Sequence, residues 1–590
     1  MQDLASFYKN QIKKHTETLS KVRQQLAASS TIRLLVFIVI FIAIYLLFGK
    51  TKLVLGVALV GIIAFLFLVS RHTDLQYKRD KIQALKVINE TEVKVLNRDF
   101  HHLPAGNVFK DSNHYFSQDI DLFGRGSFYQ YSNRTALRQG SETLAGLFVE
   151  NSIEDISQKQ EAIQELASMP EWRQEFSAVA SLTKTQTTTT AIQGWLENYT
   201  PFVPSVMKYL PLVFSILSIV SFALYFLDYI PESVLVLLLV IGFGISGVFT
   251  KKITKLGTES SRAQSTFEQY NKLLLIIEHT DFKSAFLKDK KQQIIREGKK
   301  TSTILKEFSK LLGNLDQNNN IFYLIFGNGY FLRGLATSYK IEQWIAKHGH
   351  SSKEWFEVIA FFDAYISLGT FAFNHPNYAF PILSDDSIVL KSKDAGHPLL
   401  DPEKSVMNDF QIDNEQFFII TGANMAGKST FLRTVSLQLV MANVGLPVCA
   451  CETKYNPIKL ITSMRTTDSL TDDESYFFSE LKRLKFIVDE IQTDRFFIVL
   501  DEILKGTNST DKAKGSRKFV EKLVGSKSTG IIATHDLSLC EVAKELPQIK
   551  NHYFDAEIID NELHFDYKFK EGICQNMNAS FLLKKMQIVE

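Results

Sequence analysis

The sequence predicts an α/β C-terminal domain joined to an all-α domain, with two apolar helical hairpins in the N-terminal half. Three observations carry this. Residues 422–430 read GANMAGKST, a G-x-x-x-x-G-K-S spacing between an apolar run and a helical pattern. Two more short apolar runs follow, one ending in Asp501-Glu502 and the other in His535. Four stretches, 32–49, 53–70, 209–227 and 233–250, are apolar and dominated by Leu, Ile, Val and Phe.

The glycine-loop segment is the most informative. Phe417-Phe418-Ile419-Ile420 reads as a buried strand, and 431–441 has a helical pattern. Strand, glycine loop and helix are the setting a phosphate-binding loop requires. Gly422 and Gly427 let backbone N–H groups turn inward on an anion, and the helix aims its positive end at the same place. Lys428 would reach the β- and γ-phosphates, and Ser429 would hold Mg²⁺. The chain therefore reads as a binder of a nucleoside triphosphate.

Phosphate binding alone does not imply hydrolysis. Phe496-Phe497-Ile498-Val499-Leu500 is a β-rich run that delivers two carboxylates at its end. Magnesium needs few carboxylates because it keeps several waters, so Asp501 suits the ion and Glu502 suits the attacking water. A third run, 529–534, ends at His535, which can donate to the γ-phosphate or to that water. The bland alternative is a histidine preceding a helix that starts at Asp536. Three strand ends aimed at one ligand favour the catalytic role.

At this level of detail the residues resemble a family. TGANMAGKSTFLRTV is similar to the loop of MutS-type ATPases, relatives of the ABC ATPases, with Asn424 and Met425 as the discriminating letters and Thr430 completing the nucleotide-binding run. The DEILKGTNSTD run from Asp501 to Asp511, the Ala533-Thr534-His535 triplet, the SYFFSE run from Ser475 to Glu480 and the YKFKEG run from Tyr567 to Gly572 resemble further segments of that family. The resemblance implies an α/β P-loop (ABC/MutS-like) C-terminal ATPase domain plus an all-α lever/core domain. It implies ATP and Mg²⁺ as cofactors and a homodimer as the working unit. It gives Tyr567 the role of packing on adenine, and Ser475 that of completing the partner subunit's site around Lys428. Read without the family, Ser475 is a helix cap among Asp472, Asp473 and Glu474. One departure stands out. The family often has a base-stacking aromatic before its V-P-N-D segment, where this chain has Ser405-Val406-Met407-Asn408-Asp409.

The apolar stretches are each near the ~20 residues needed to cross a bilayer. They lack the polar face of a core helix. They read as four transmembrane helices in two hairpins, not as a cleaved signal peptide. Lys9, Lys13, Lys14, Lys21, Arg23 and Arg33 precede the first, Arg71, Lys78, Arg79 and Lys81 follow the second, and Lys251, Lys252 and Lys255 follow the fourth. The turn of the second hairpin carries Asp228 and Glu232. Positive residues stay cytoplasmic. Lys50 and Lys52 oppose this weakly. The expected location is the cell inner membrane, multi-pass, with the soluble domains facing the cytoplasm and the lipid bilayer as a partner.

The divisions expected are 1–31 as a cytoplasmic N-terminal helix, 32–70 as hairpin 1, 71–208 as the first stretch of the helical core or lever, 209–250 as hairpin 2, 251–390 as the second stretch of the lever and 391–590 as the ATPase domain. Asn133-Arg134-Thr135 and the helical pattern through Leu166 resemble the family's lever domain. So does the stretch from Trp355 to Asn377, with Gly396-His397-Pro398 leading into the ATPase. The family inserts a DNA-gripping clamp between its lever helices; here that insert contains hairpin 2. No segment matches the mismatch-reading domain.

Composition adds bounds. The 590 residues carry a net charge of only +2, so no polyanion footprint spans the chain. A local basic patch (Lys283, Lys288, Lys290, Lys291, Arg296, Lys299, Lys300) suits DNA, anionic lipid or simply a solvated helix face. The four cysteines form no C-x-x-C pair and fit reduced thiols. His101, His102, His114, Asp119 and Asp121 match no metal-ligand spacing and read as a polar loop. The function expected is a membrane-anchored ATPase that couples ATP binding and hydrolysis in a dimer to conformational change, with double-stranded DNA as a client. The alternatives are an ABC-exporter-like transport ATPase and an ATP-gated membrane scaffold without DNA binding.

Overall fold

Two long helices, α1 (Gln2–Leu46) and α2 (Thr51–Leu96), open the chain as a hairpin. The computed structural model describes residues 2–182, 188–296, 299–317, 323–465, 476–505, 508–559, 562–575 and 587–588. Both helices run straight through the boundaries expected at 31 and 70. Their two halves obey opposite rules. At the open end Leu19, Val22, Leu26 and Ile82 are buried between the helices. At the turn end Leu34, Phe37, Phe41, Val60 and Phe67 face outward.

The helical domain continues with α3 (Phe128–Ser132), α4 (Arg138–Val149), α5 (Ile156–Ala167), α6 (Pro170–Ser181) and α7 (Thr189–Glu197). The pattern from Asn133 to Leu166 suggests continuous helix. Instead the chain breaks between α4 and α5, where Asn151 and Asp155 take positive φ of 52° and 55°. Asn151 uses its amide on the C-terminal domain, exchanging hydrogen bonds with Leu460 at 3.0 and 2.9 Å.

The second hairpin is α8 (Leu210–Phe226) and α9 (Glu232–His279). Helix α9 also ignores its expected end at 250. Then come α10 (Ala285–Gln292), a small hairpin of β1 (Ile295–Arg296) and β2 (Lys299–Lys300), α11 (Thr301–Asp316), a π-helical turn (Tyr323–Asn328), α12 (Gly329–Phe331), α13 (Arg333–His348) and α14 (Ser352–Asn374).

Among the described residues four helices are long and apolar enough to cross a membrane: Asp3–Leu46, Gly56–Leu96, Glu232–His279 and Ser352–Asn374. Helix α8 is apolar but shorter. The apolar windows of the first three are largely outside the protein core, at 6%, 6% and 22% buried. The window of α14 is 89% buried, so α14 is the central helix of the helical domain. Length and composition alone do not separate these cases; burial does.

Polar contacts tie the first hairpin to α14. The Tyr8 hydroxyl donates to Asn374 Oδ1 at 2.7 Å, and Asn374 Nδ2 donates to Glu92 Oε2 at 2.8 Å. Arg134 closes the chain by pairing with Glu92, whose side chain is 3% exposed. Beside it Asn89 and Gln174 exchange amide hydrogen bonds at 3.0 Å. Buried Arg173 donates to Thr370 of α14.

The C-terminal domain has two main sheets. The larger has the order β14-β11-β6-β10-β9-β8. Its strands are β6 (Phe417–Gly422), β8 (Lys459–Ser463), β9 (Phe496–Asp501), β10 (Thr529–Ala533), β11 (Ile549–Phe554) and β14 (Lys570–Glu571); all pairs are parallel except β14 at the edge. The smaller sheet is β3 (Ile382–Leu383), β7 (Glu452–Tyr455), β4 (Ile388–Ala395) and β5 (Asn408–Asp413). It begins at Ile382, a few residues before the boundary expected at 391. A hairpin of β12 (Ala556–Ile559) and β13 (Glu562–Phe565) precedes β14. Helices α15 (Lys428–Val444), α16 (Tyr476–Glu490) and α17 (Ser509–Val524) complete the domain. Strands buried on both faces read as unbroken apolar runs, which is why 417–420, 496–500 and 529–533 are visible in the sequence.

Candidate nucleotide site

Sheet register brings the site together. Ala533 of β10 lies opposite Asp501 of β9 on one side and Ile420 of β6 on the other. β9 and β10 thus end level, β6 runs two residues further to Gly422, and ligands in parallel sheets bind beyond such ends. The loop after β6 turns through Met425 (φ 68°) and Gly427 (φ 109°) into α15. Gly427 is constrained twice: its φ is left-handed, and an added Cβ would lie 3.2 Å from Tyr567 Cδ1.

Lys428 is 6% exposed. Its Nζ donates to the carbonyls of Gly422 and Ala423 at 2.8 and 3.0 Å. Burial lowers its pKa, while nearby Asp501 and Glu502 raise it. Those bonds hold the ammonium inside the loop, where a polyphosphate would meet it. The Ser429 hydroxyl donates to Asp501 Oδ2 at 2.8 Å. A hydroxyl and a carboxylate facing each other are hard oxygen donors of the kind Mg²⁺ takes, and the ion fills its remaining positions with water and phosphate.

Glu502 stands just past β9 with φ 55° and its N–H bonded to Ala533 O at 2.9 Å. His535 Nε2 lies 3.1 Å from Glu502 Oε1, and Lys505 Nζ lies 3.7 Å from Oε2. The hydrogen bond with His535 holds the Glu502 carboxyl down to about 2, with Lys505 helping and burial opposing. The same His535 nitrogen is 3.3 Å from Lys428 Nζ. A ring nitrogen that donates to Glu502 cannot also accept from Lys428, so it serves one of them at a time.

Most of the predicted residues converge. Gly422, Gly427, Lys428, Ser429, Asp501, Glu502 and His535 form one cluster. Asn424 and Met425 are exposed on the loop, and Thr430 is exposed in the first turn of α15. Tyr567 sits over the loop at Gly427, with its ring stacked on Phe565 at 5.8 Å. Its turn is clamped by Asn408, which donates to Tyr567 O at 3.0 Å and accepts from Phe569 N at 2.8 Å. The segment that lacks the family's aromatic therefore still builds this wall. Ser475 lies outside the described residues, as do Gly506 and Thr507. Asn508 caps α17, accepting from Asp511 N at 2.9 Å.

Sequence reading missed Glu480. It is 4% exposed, and it accepts from Leu504 N at 2.6 Å and Lys505 N at 3.0 Å. It fixes the turn that carries Glu502. A lone acid on the apolar side of a helix was the available signal.

Residues 418–587 match the family model for MutS domain V. Over those residues the C-terminal domain is similar to MutS domain V. The DNA mismatch repair protein MSH4 of Arabidopsis thaliana is 32% identical over 221 residues, 35% of this chain and 27% of that protein. The DNA mismatch repair protein MutS of Thermotoga maritima is 31% identical over 234 residues, 39% of this chain and 29% of that protein. The human MutS protein homolog 4 is 28% identical over 245 residues, 40% of this chain and 26% of that protein. The chain thus spans little more than a quarter of the length of these MutS-type relatives.

Proposed function

We propose that this chain is a membrane-anchored, dimeric MutS-type ATPase whose nucleotide cycle drives movement of its helical domain. The observation that supports it most is the junction of strand ends that gathers Lys428, Ser429, Asp501, Glu502 and His535. Lys428 and the loop N–H groups hold the β- and γ-phosphates. Ser429 and Asp501 hold Mg²⁺, which neutralises phosphate charge when bound. Glu502 stays ionised throughout the working range. A carboxyl held that low is a poor proton acceptor, so its role is to orient and polarise the water. His535 Nε2 fixes Glu502 or, released from it, donates toward the γ-phosphate.

Membrane attachment draws its support from the exposed apolar ends of α1–α2 and α8–α9 and from the basic residues that flank them. Dimerisation draws support from the family resemblance, with Ser475 completing the opposite site. DNA as client draws support from the names of the relatives and from Lys283, Lys288, Lys290, Lys291 and Lys300.

The test is Glu502→Gln in purified, lipid-reconstituted protein. Turnover falls by roughly 10²-fold or more, the loss that misplacing a reacting group brings. ATP stays bound, and the dimer persists on sizing. Unchanged turnover removes the assigned role of Glu502. Absence of salt-dependent DNA affinity removes the DNA client while leaving the ATPase intact. Extraction of the wild-type protein from membranes by alkaline carbonate removes the anchor.

A further inference from the structure

By sequence, residues 323–332 belong to a soluble lever. The structure places them against the second hairpin instead. Helix α12 packs on both α8 and α9, and the π-helical turn Tyr323–Asn328 packs on α9 and α12. Tyr330 and Leu332 share a buried cluster with Phe214 of α8 and Leu238 of α9. The Tyr330 ring lies 4.9 Å from that of Phe222.

The contact is close enough to need glycine on α9. A Cβ on Gly242 would lie 1.9 Å from Gly329 O. Gly242 is nine residues from Lys251, which at 1.5 Å per residue is about 14 Å along the helix. A hydrocarbon core is about 30 Å thick, so Gly329 meets the hairpin near its middle.

Irregular backbone at that depth is tolerated only where it is covered by protein and its polar groups are satisfied. Gly327, Asn328, Gly329 and Tyr330 are buried. Asn328 Oδ1 accepts from Gly334 N at 2.8 Å, and Asn328 O accepts from Ser246 Oγ at 3.4 Å. Leu324 and Phe326 point the other way, 41% and 54% exposed. On α9, Val240, Ile241 and Phe243 are likewise exposed. Exposed Arg333 follows, on a stem long enough to snorkel to the headgroups.

We infer that residues 323–332 form a re-entrant element that enters the bilayer beside α8 and α9, with Leu324 and Phe326 in contact with lipid acyl chains. This rests on the membrane reading of the second hairpin. It gives the bilayer a direct contact with α13, which the element leads into.

The test uses the full chain in lipid nanodiscs in a Cys451→Ser background, which removes the exposed thiol. Single cysteines Phe326→Cys and, separately, Leu324→Cys carry an environment-sensitive fluorophore. Val240→Cys, on α9, is the reference. Quenching comes from lipids with a nitroxide at the acyl-chain end or on the headgroup. The expected result is acyl-chain quenching at 326 or 324 comparable with that at 240. Acyl quenching at 240, with 326 and 324 quenched only from the headgroup or not at all, overturns the re-entrant element and leaves the spanning hairpin standing. No acyl quenching at any of these sites overturns both.

Discussion

Arg465 grips Asp121 with both terminal guanidinium nitrogens, at 2.6 and 2.7 Å. Arg433 of α15 reaches the same carboxylate at 3.1 Å. Asp121 belongs to the helical domain, Arg433 to the helix that starts at the phosphate loop, and Arg465 to the chain just past β8. Asp119 reinforces the joint by accepting from Arg465 N at 2.9 Å. One carboxylate thus links the nucleotide helix to the helical domain.

The Asp121 side chain is 46% exposed, so these ion pairs contribute little stability, on the order of 0–1 kcal/mol. Their geometric role is larger than that. Asp121→Ala should shift the melting temperature only slightly, yet lower ATP turnover several-fold at nearly unchanged nucleotide affinity. Parallel melting and single-turnover measurements check it. A loss confined to stability would make the joint merely structural.

Glu480 joins α16 to the turn that aims Glu502. Glu480→Ala leaves Leu504 N and Lys505 N without their acceptor, which costs about 1–3 kcal/mol. The turn holds two left-handed residues, Glu502 and Leu504, with φ 55° and 57°, so it depends on outside support. The expected kinetics are a lower kcat with KM little changed, and partial recovery in Glu480→Gln, which keeps an acceptor. A variant that raised KM alone would place Glu480 in binding instead.

The legible parts of this protein were those set by local pattern. The phosphate loop, Asp501, Glu502 and His535 announce themselves because each follows a strand buried on both faces. The apolar hairpins were visible because nothing polar interrupts them. Long-range pairing was not visible. Asp121 looked like part of a polar loop, and only the fold brings Arg433 and Arg465 to it. Glu480 looked like one letter of a motif. Helix α14 passes the same length and hydropathy tests as α1, α2 and α9, yet its burial sets it apart from them. Helix continuity was also hidden: α1, α2 and α9 pass from apolar to polar sequence without breaking, because a helix needs no change in backbone to change its surroundings.

The clamp between the first hairpin and α14 should respond sharply to one change and mildly to another. Arg134→Ala strands the Glu92 carboxylate in the core and should cost about 3–5 kcal/mol. Tyr8→Phe removes one hydrogen bond, to Asn374, and should cost about 0.5–1.5 kcal/mol. Denaturation midpoints of the two variants, measured side by side in the same detergent, check the ordering. Equal losses would mean that the Glu92 charge finds another partner.

Asp363 makes a pH-dependent contribution. It is fully buried on α14 and accepts from Ala136 N and Leu137 N at 3.1 and 2.9 Å, at the start of α4. Burial pushes its carboxyl up to about 7, against the pull of those two N–H groups. In the unfolded chain it titrates near its ordinary value of 3.8. Between these limits the folded protein keeps a proton that the unfolded chain has released, so stability falls as pH rises. The contribution is complete below the lower limit and gone once pH passes the upper one. Asp363→Asn carries no titrating group and should flatten this slope while still accepting from the two N–H groups. Melting temperatures at about pH 5 and about pH 8, spanning most of that window, test it. The wild type should lose more between the two than the variant does, and equal slopes would assign the pH dependence to another group.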